Sequence, residues 1–205
     1  MKNVFVTIKD LGLLSTNAYL WFEDPRHALL IDPGAEEERI ISCVTSHDLT
    51  VEKILLTHSH FDHIGAAEAL RGKWNVPVLV HENGEKILAD PELNLSAQMR
   101  CPFTLHDVST FRDGDKIFAG RACLQVMHTP GHTSDSVVFY DTANGVAFTG
   151  DTIFQGSYGT VHFPTGDAVR MRQSLADVLA LPPETLLLPG HGAETTVREE
   201  QENYQ

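Results

Sequence analysis

The sequence predicts a single α/β domain in which two β-sheets pack face to face between outer helices. Three observations predict it. Strand-like runs and helical spacings alternate twice along the 205 residues. Several of the strand runs are apolar almost without a break, as expected where both faces of a sheet are covered. No linker, composition shift or literal repeat divides the chain, so residues 1–205 read as one domain.

Residues 1–21, MKNVFVTIKDLGLLSTNAYLW, alternate like a strand pair and lack the apolar core and cleavage site of a signal peptide. AYLWF (18–22) and HALLID (27–32) read as strands ended by the turn Asp32-Pro33-Gly34. Residues 35–48 space Ile40, Ile41 and Val44 as on a helix, with acids in the first turn. VEKILLT (51–57) reads as a buried strand. IGAAEALRG (64–72) predicts a helix stopped by Gly72. VPVLVH (76–81) is another buried strand, and residues 90–116 show few periodic features, which predicts a long surface excursion. ACLQVMHT (122–129), SVVFYD (136–141) and GVAFTGD (145–151) predict three further strands. Residues 167–183 predict a helix with Val169, Met171, Leu175, Val178 and Leu179 near one face, ended by Pro182-Pro183. TLLLPGH predicts the last strand.

Composition narrows the function. Apolar residues make up 42% and charged residues 21%, a soluble globular balance. No apolar run has the roughly 18 residues of a membrane span, and a cytoplasmic location is expected. A net charge of −13 without any basic stripe disfavours nucleic acid and anionic lipid as partners. The acids of Glu36–Glu38 and of the C-terminal tail read as solvated surface. Cys43, Cys101 and Cys123 form no CxxC pair, which argues against a disulfide framework or a thiolate zinc ribbon; Cys123 is expected in the core.

The chemistry lies in THSHFDH (57–63), where three histidines and an aspartate crowd one loop. Asp62 alone would read as a helix cap, and a lone histidine after a strand is ordinarily a surface or core residue. His27, His47, His81, His106 and His128 are read that way, His128 towards the core. Three imidazoles and a carboxylate together gain nothing for packing. The candidate ligands His58, His60, Asp62, His63, His132, Asp151 and His191 each follow an apolar strand run or sit just beyond one. Loops at strand ends bring distant segments together on a rigid edge. Imidazole and carboxylate suit zinc, iron or manganese. Seven ligands exceed the three or four that one catalytic metal needs, which predicts two divalent ions, zinc foremost, with iron or manganese as alternatives. Five neutral imidazoles and two carboxylates against two dications would leave the pocket positive, suited to an anionic or carbonyl-rich small molecule.

THSHFDH, HTPGHT (128–133), FTGDTIF (148–154) and PGHG (189–192), with IDPG at 31–34, resemble in order and spacing the metal motifs of the metallo-β-lactamase-fold hydrolases. The resemblance spans nearly the whole chain and implies that family's four-layer αββα sandwich. It implies one metal on His58, His60 and His132, another on Asp62, His63 and His191, and Asp151 between them. Zinc β-lactamases lack the bridging aspartate, so antibiotic hydrolysis is disfavoured. The chain is more similar to glyoxalase II, which hydrolyses S-acylglutathione thioesters, and above all to its short single-domain relatives, which NLS (94–96) and the loop 154–167 also resemble. The resemblance implies a thioester hydrolase using a metal-bridging hydroxide, with Asp62 both ligating and orienting the nucleophile. A lactonase and a mononuclear iron persulfide dioxygenase of the same fold stand as alternatives. Two departures bear on substrate. The C-terminal helical domain that helps glyoxalase II hold glutathione has no counterpart here. Thr160, Val161 and His162 stand where short relatives carry Arg-Thr-Asp. His162 is expected beside the metals as a hydrogen-bond donor or extra ligand, against the alternative of a surface-loop histidine.

Overall fold

Strands that are apolar on both faces need a cover on each, and the covering layers are laid out in a computed structural model that describes residues 4–100 and 102–204. Residues 1–3 of the N-terminal strand-pair reading, Cys101 and the final tail residue lie outside the described residues.

One sheet runs in spatial order β1 (Phe5–Leu11), β2 (Thr16–Asp24), β3 (His27–Ile31), β4 (Val51–Leu55), β5 (Val78–His81) and β6 (Ser109–Phe111). The other contains β7 (Lys116–Ala119), β8 (Ala122–His128), β9 (Val137–Asp141), β10 (Val146–Gly150), β11 (Leu186–Pro189) and β12 (Thr195–Thr196), again neighbours in chain order. Helices α1 (Glu37–Ser46), α2 (Phe61–Ile64), α3 (Ala67–Trp74), α4 (Glu85–Leu88), α5 (Ala168–Leu179) and α6 (Val197–Asn203), with a 3-10 turn at Ser96–Gln98, complete the described elements.

The period of two along each strand sorts side chains into layers. Tyr19, Trp21, Leu29, Ile31 and Leu55 of the first sheet meet Leu124, Val126, Phe139, Phe148 and Leu188 of the second between the sheets. Their neighbours Leu20, Leu30 and Ile54 point the other way, onto Ile40 and Val44 of α1 and Leu70 of α3. Val138, Ala147 and Leu187 pack outward on Met171, Leu175 and Val178 of α5. Both faces of the central strands are therefore buried, which is why HALLI and VAFTG read as unbroken apolar runs. Each large side chain so buried contributes about 1.5–3 kcal/mol. The expected αββα sandwich is the observed one.

Several local expectations are corrected. The helix expected over 64–72 is two short ones, and Gly72 lies exposed within α3; Asn75, left-handed at φ 54°, ends it instead. Asparagine is one of the few residues with a side chain that enters this region readily. Residues 90–116 are not a surface excursion throughout. β6 adds to β5 in parallel, Leu95 and Leu105 are buried, and the Asn94 amide donates to the carbonyls of Leu88 (3.3 Å) and Phe103 (3.0 Å). Val169 is 68% exposed, because α5 buries the stripe Met171, Ser174, Leu175 and Val178. Cys123 is half-buried rather than in the core. TLLLP is followed by β12 and α6, the latter begun by a capping box between Thr196 and Glu199. Within that acidic tail Glu200 is fully buried and accepts from Thr195 Oγ1 (2.7 Å) and the Gly156 N–H (2.9 Å). Among the described residues no helix is long and apolar enough to cross a membrane.

The two sheets are laced together by backbone bonds at one rim. Val137 N–H donates to Thr57 O (2.9 Å) and Asn17 N–H to Gly190 O (2.7 Å). The chain leaves β4, β8, β10 and β11 at this rim, and every candidate ligand lies there.

Candidate metal centre

Four of the five histidines are aimed by a contact at the outer ring nitrogen. Nδ1 of His63 lies 2.9 Å from Asp32 Oδ2, Nδ1 of His132 lies 2.8 Å from the Thr160 carbonyl, and Nδ1 of His191 lies 3.1 Å from the Leu14 carbonyl. A ring that donates from Nδ1 to an acceptor presents an unprotonated Nε2 on its other side. His58 is turned by Thr57, whose Oγ1 is 3.2 Å from Nδ1. The inner atoms converge. His60 Nδ1 and His132 Nε2 are 2.9 Å apart, and His63 Nε2 is 3.3 Å from Asp151 Oδ1. Asp151 Oδ2 reaches towards His132 Nε2 (3.5 Å) and His191 Nε2 (3.6 Å).

Three groups have ligand atoms mutually within 4.8 Å: His58 with His60 and His132, His58 with His63 and Asp151, and Asp62 with His63 and His191. All seven residues singled out in the sequence are thus brought together, with Asp151 facing both trios. Asp62 is not a helix cap. It lies in the first turn of α2, and its Oδ2 sits 3.2 Å from His191 Nε2 and accepts from Thr16 Oγ1 at 3.1 Å.

The donor set fits metal ions. On the inner side, Nε2 of His58 and His63 and Oδ1 of Asp151 are buried without a hydrogen-bond partner. Buried lone pairs left unpaired are costly, and several facing one small volume fit a cation. Charge agrees. Burial pushes His58 and His60 towards the neutral form, His60 to about 3. Burial acts the same way on His63, but Asp62, Asp151 and Asp32 outweigh it and hold that ring well above its ordinary range. Against burial, Asp62 also raises His191, while His63 draws Asp151 well below the usual carboxylate range. The carboxylates thus favour positive charge at His63 and His191, the charge that bound dications would supply.

Glycine makes room for this crowding. A Cβ on Gly190 would stand 2.4 Å from Asp151 Oδ1 and 2.5 Å from His63 Cε1. Tyr19 Oη donates to the Pro189 carbonyl (2.6 Å), and the Asn17 amide donates to the carbonyls of Pro189 (3.1 Å) and Gly192 (3.0 Å), clamping the loop that carries His191.

Of the two readings of His162, the surface-loop one is observed. His162 is exposed, and the following residue, Phe163, sits over the histidines instead, its ring centre 5.7 Å from that of His60 and 6.2 Å from that of His132. In this loop the residue one place on points inwards. Sequence reasoning also passed over Asp32, taken as a turn residue, and Thr16, Asn17 and Tyr19, taken as plain strand. The signal for Asp32 was a carboxylate at the end of an unbroken apolar strand.

A model of the metallo-beta-lactamase superfamily matches residues 11–191. The chain belongs to that superfamily. Superfamily relatives include "Probable metallo-hydrolase YqgX" of Bacillus subtilis, 37% identical over 94% of this chain and 92% of the relative. "Hydroxyacylglutathione hydrolase GloC" of Haemophilus influenzae is 33% identical over 96% of this chain and 94% of its own. Among superfamily structures, the BLEG-1 B3 metallo-beta-lactamase superposes with a TM-score of 0.91 at 36% identity, covering 97% of this chain and 96% of that one. TTHA1623 in a di-iron-bound form gives 0.86 at 34% identity over 97% and 98%, and ETHE1 from Myxococcus xanthus gives 0.78 at 32% over 98% and 82%. Membership carries metal-dependent hydrolysis as the general activity and leaves the substrate and the metal to be decided.

Proposed function

We propose that the protein is a dinuclear metal-dependent hydrolase of small thioesters, with zinc as the foremost metal and iron or manganese as alternatives. The observation that carries the reading is the pair of ligand trios sharing Asp151, with Asp62 turned inward beside them. His58, His60 and His132 would hold one ion, Asp62, His63 and His191 the other, and Asp151 would face both. Bound ions would supply hydroxide near neutral pH, lowering the pKa of water to about 7, and would polarise a substrate carbonyl.

The chain's own groups account for the rest. Thr16 fixes Oδ2 of Asp62, leaving the carboxylate able to accept a hydrogen bond from the attacking hydroxide and to aim its lone pair at the carbonyl carbon. Leu13, Leu14, Leu95, Met99 and Phe163 wall a mouth of about 290 Å³ over the histidines and limit water there. No lysine, tyrosine or cysteine lines this mouth among the described residues. A leaving group that departs without a proton donor, a thiolate, suits such a site better than an alkoxide. The likeness to a relative named as a hydroxyacylglutathione hydrolase supports the same reading.

The test joins metal quantification to turnover of S-lactoylglutathione, a lactone, a β-lactam and a persulfide with oxygen monitored. Expected are about two metal equivalents per chain, thioester cleavage above the others, and loss of turnover for Asp62→Ala with an unchanged far-UV circular dichroism spectrum. One bound iron with oxygen uptake, or preference for the lactone or β-lactam, would replace the thioester reading.

A further inference from the structure

Beside the mouth lies a second chamber of about 350 Å³, reached past Asp62. Its walls are Leu11, Leu13, Ala35, Phe61, Met99 and Phe103, and Leu13, Phe61, Asp62 and Met99 line both spaces. Three closely packed backbones form part of its wall. A Cβ on Gly34 would stand 1.9 Å from the Asp62 carbonyl oxygen, and one on Gly65 would stand 2.3 Å from the Gly34 carbonyl oxygen. Leu13, 79% exposed on the β1–β2 turn, stands between chamber and mouth, an apolar side chain displayed at the site rather than used in the core.

We propose that this chamber receives an aliphatic acyl chain, so that the protein prefers thioesters of fatty rather than polar acids; this rests on the thioester reading above. Two features of the walls select the acyl side over the thiol side. Asp62 lines both spaces, so the carbonyl it would help attack lies beside the chamber entrance. Polar carriers such as glutathione bring carboxylates, and the single cation on the chamber wall among the described residues is the exposed Arg100. An alkyl chain needs no polar partner and gains by leaving water. With the carbonyl beside Asp62, its chain can run into the chamber while the thiol half stays at the open mouth.

The test separates this idea from the thioester reading. Calorimetry on the metal-loaded protein compares acetate with butyrate, hexanoate and octanoate, whose carboxylates are alike. Affinity should climb by up to about fourfold for each methylene taken from water. Ala35→Trp, which fills the chamber, should bring octanoate down to the affinity of acetate and leave acetate unchanged. Leu13→Ser, a neutral change on an exposed turn where folding is not at stake, should narrow the gap between octanoate and acetate. In parallel, acetyl and octanoyl thioesters of N-acetylcysteamine are assayed, and octanoyl should be turned over faster. Chain-dependent binding reduced by both variants, with no thioester cleaved, would keep the chamber and discard the thioester reading. Equal affinity for acetate and octanoate, or a chain dependence that both variants leave intact, would overturn the chamber whatever the enzyme hydrolyses.

Discussion

Asp32 Oδ2 lies 2.9 Å from Nδ1 of His63, and the two residues are fully buried 31 positions apart. The same carboxylate accepts the Thr57 N–H at 2.7 Å and the Thr57 hydroxyl at 2.6 Å. One side chain thus orients a candidate ligand and anchors the start of the loop that carries His58 and His60. Asp32 holds a left-handed backbone, φ 51°, to do so. Asp32→Asn would set an amide N–H against one of three donors. Metal affinity should fall about 10- to 100-fold, measured by competition with a chromophoric chelator. Unchanged affinity would show that His63 is aimed by its packing alone.

Thr16 holds Asp62 from the start of β2, where it also makes a backbone bridge with His191. Thr16→Val keeps the shape and removes the hydroxyl. Turnover should drop about tenfold or more, since a hydrogen bond to a charged group is worth about 1.5–3 kcal/mol. Metal content should stay at the wild-type level, and Thr16→Ser should restore the rate. A Thr16→Val protein that has lost its metal would point to a structural part for the hydroxyl.

Stripping the metals should weaken the fold itself, because the unpaired ring nitrogens and the two inward carboxylates then face one another. Ligand at 100 times its dissociation constant stabilises by about 2.7 kcal/mol. For a chain of this size that corresponds to a melting shift of about 5–10 °C. Differential scanning calorimetry with and without chelator reads this directly. Identical melting temperatures would argue against an ion-binding centre.

His81 should make the fold sensitive to mild acid. It is buried at 3% exposure and stacks on His128 with ring centres 4.0 Å apart and planes at 12°. Burial, and then the neighbouring His128, push its pKa down to about 4, against 6.5 when unperturbed, while Glu82 and Asp113 oppose this. Above pH 6.5 the ring is neutral in both states and the contribution is complete. As pH falls from 6.5 to about 4, the unfolded chain takes up a proton that the folded one refuses, and stability is lost. His81→Phe keeps a stacked ring and should flatten the urea midpoint across that window relative to wild type. Parallel pH curves for the two proteins would reject the assignment.

The sequence by itself determined the layers and the candidate ligands. Unbroken apolar runs such as HALLI and VAFTG can only be strands covered on both faces, and a histidine-rich segment just past such a run must fall at a sheet rim. These are local facts, set by a period of two and by where each strand stops, so all seven candidate ligands were legible as residues. The tertiary structure alone decided what surrounds them. Thr16 reaches Asp62 across 46 positions within one half of the fold, and Tyr19 reaches Pro189 across 170, a contact that exists only once the two sheets have stacked. Phe163 rather than its neighbour His162 covers the histidines because the loop's path, not its composition, chooses which side chain turns inward. The side chamber is likewise walled in part by the close approach of the Gly34, Asp62 and Gly65 backbones. A spacing rule can place a ligand at the end of its own strand, but it carries no information about which distant backbone will be packed against it.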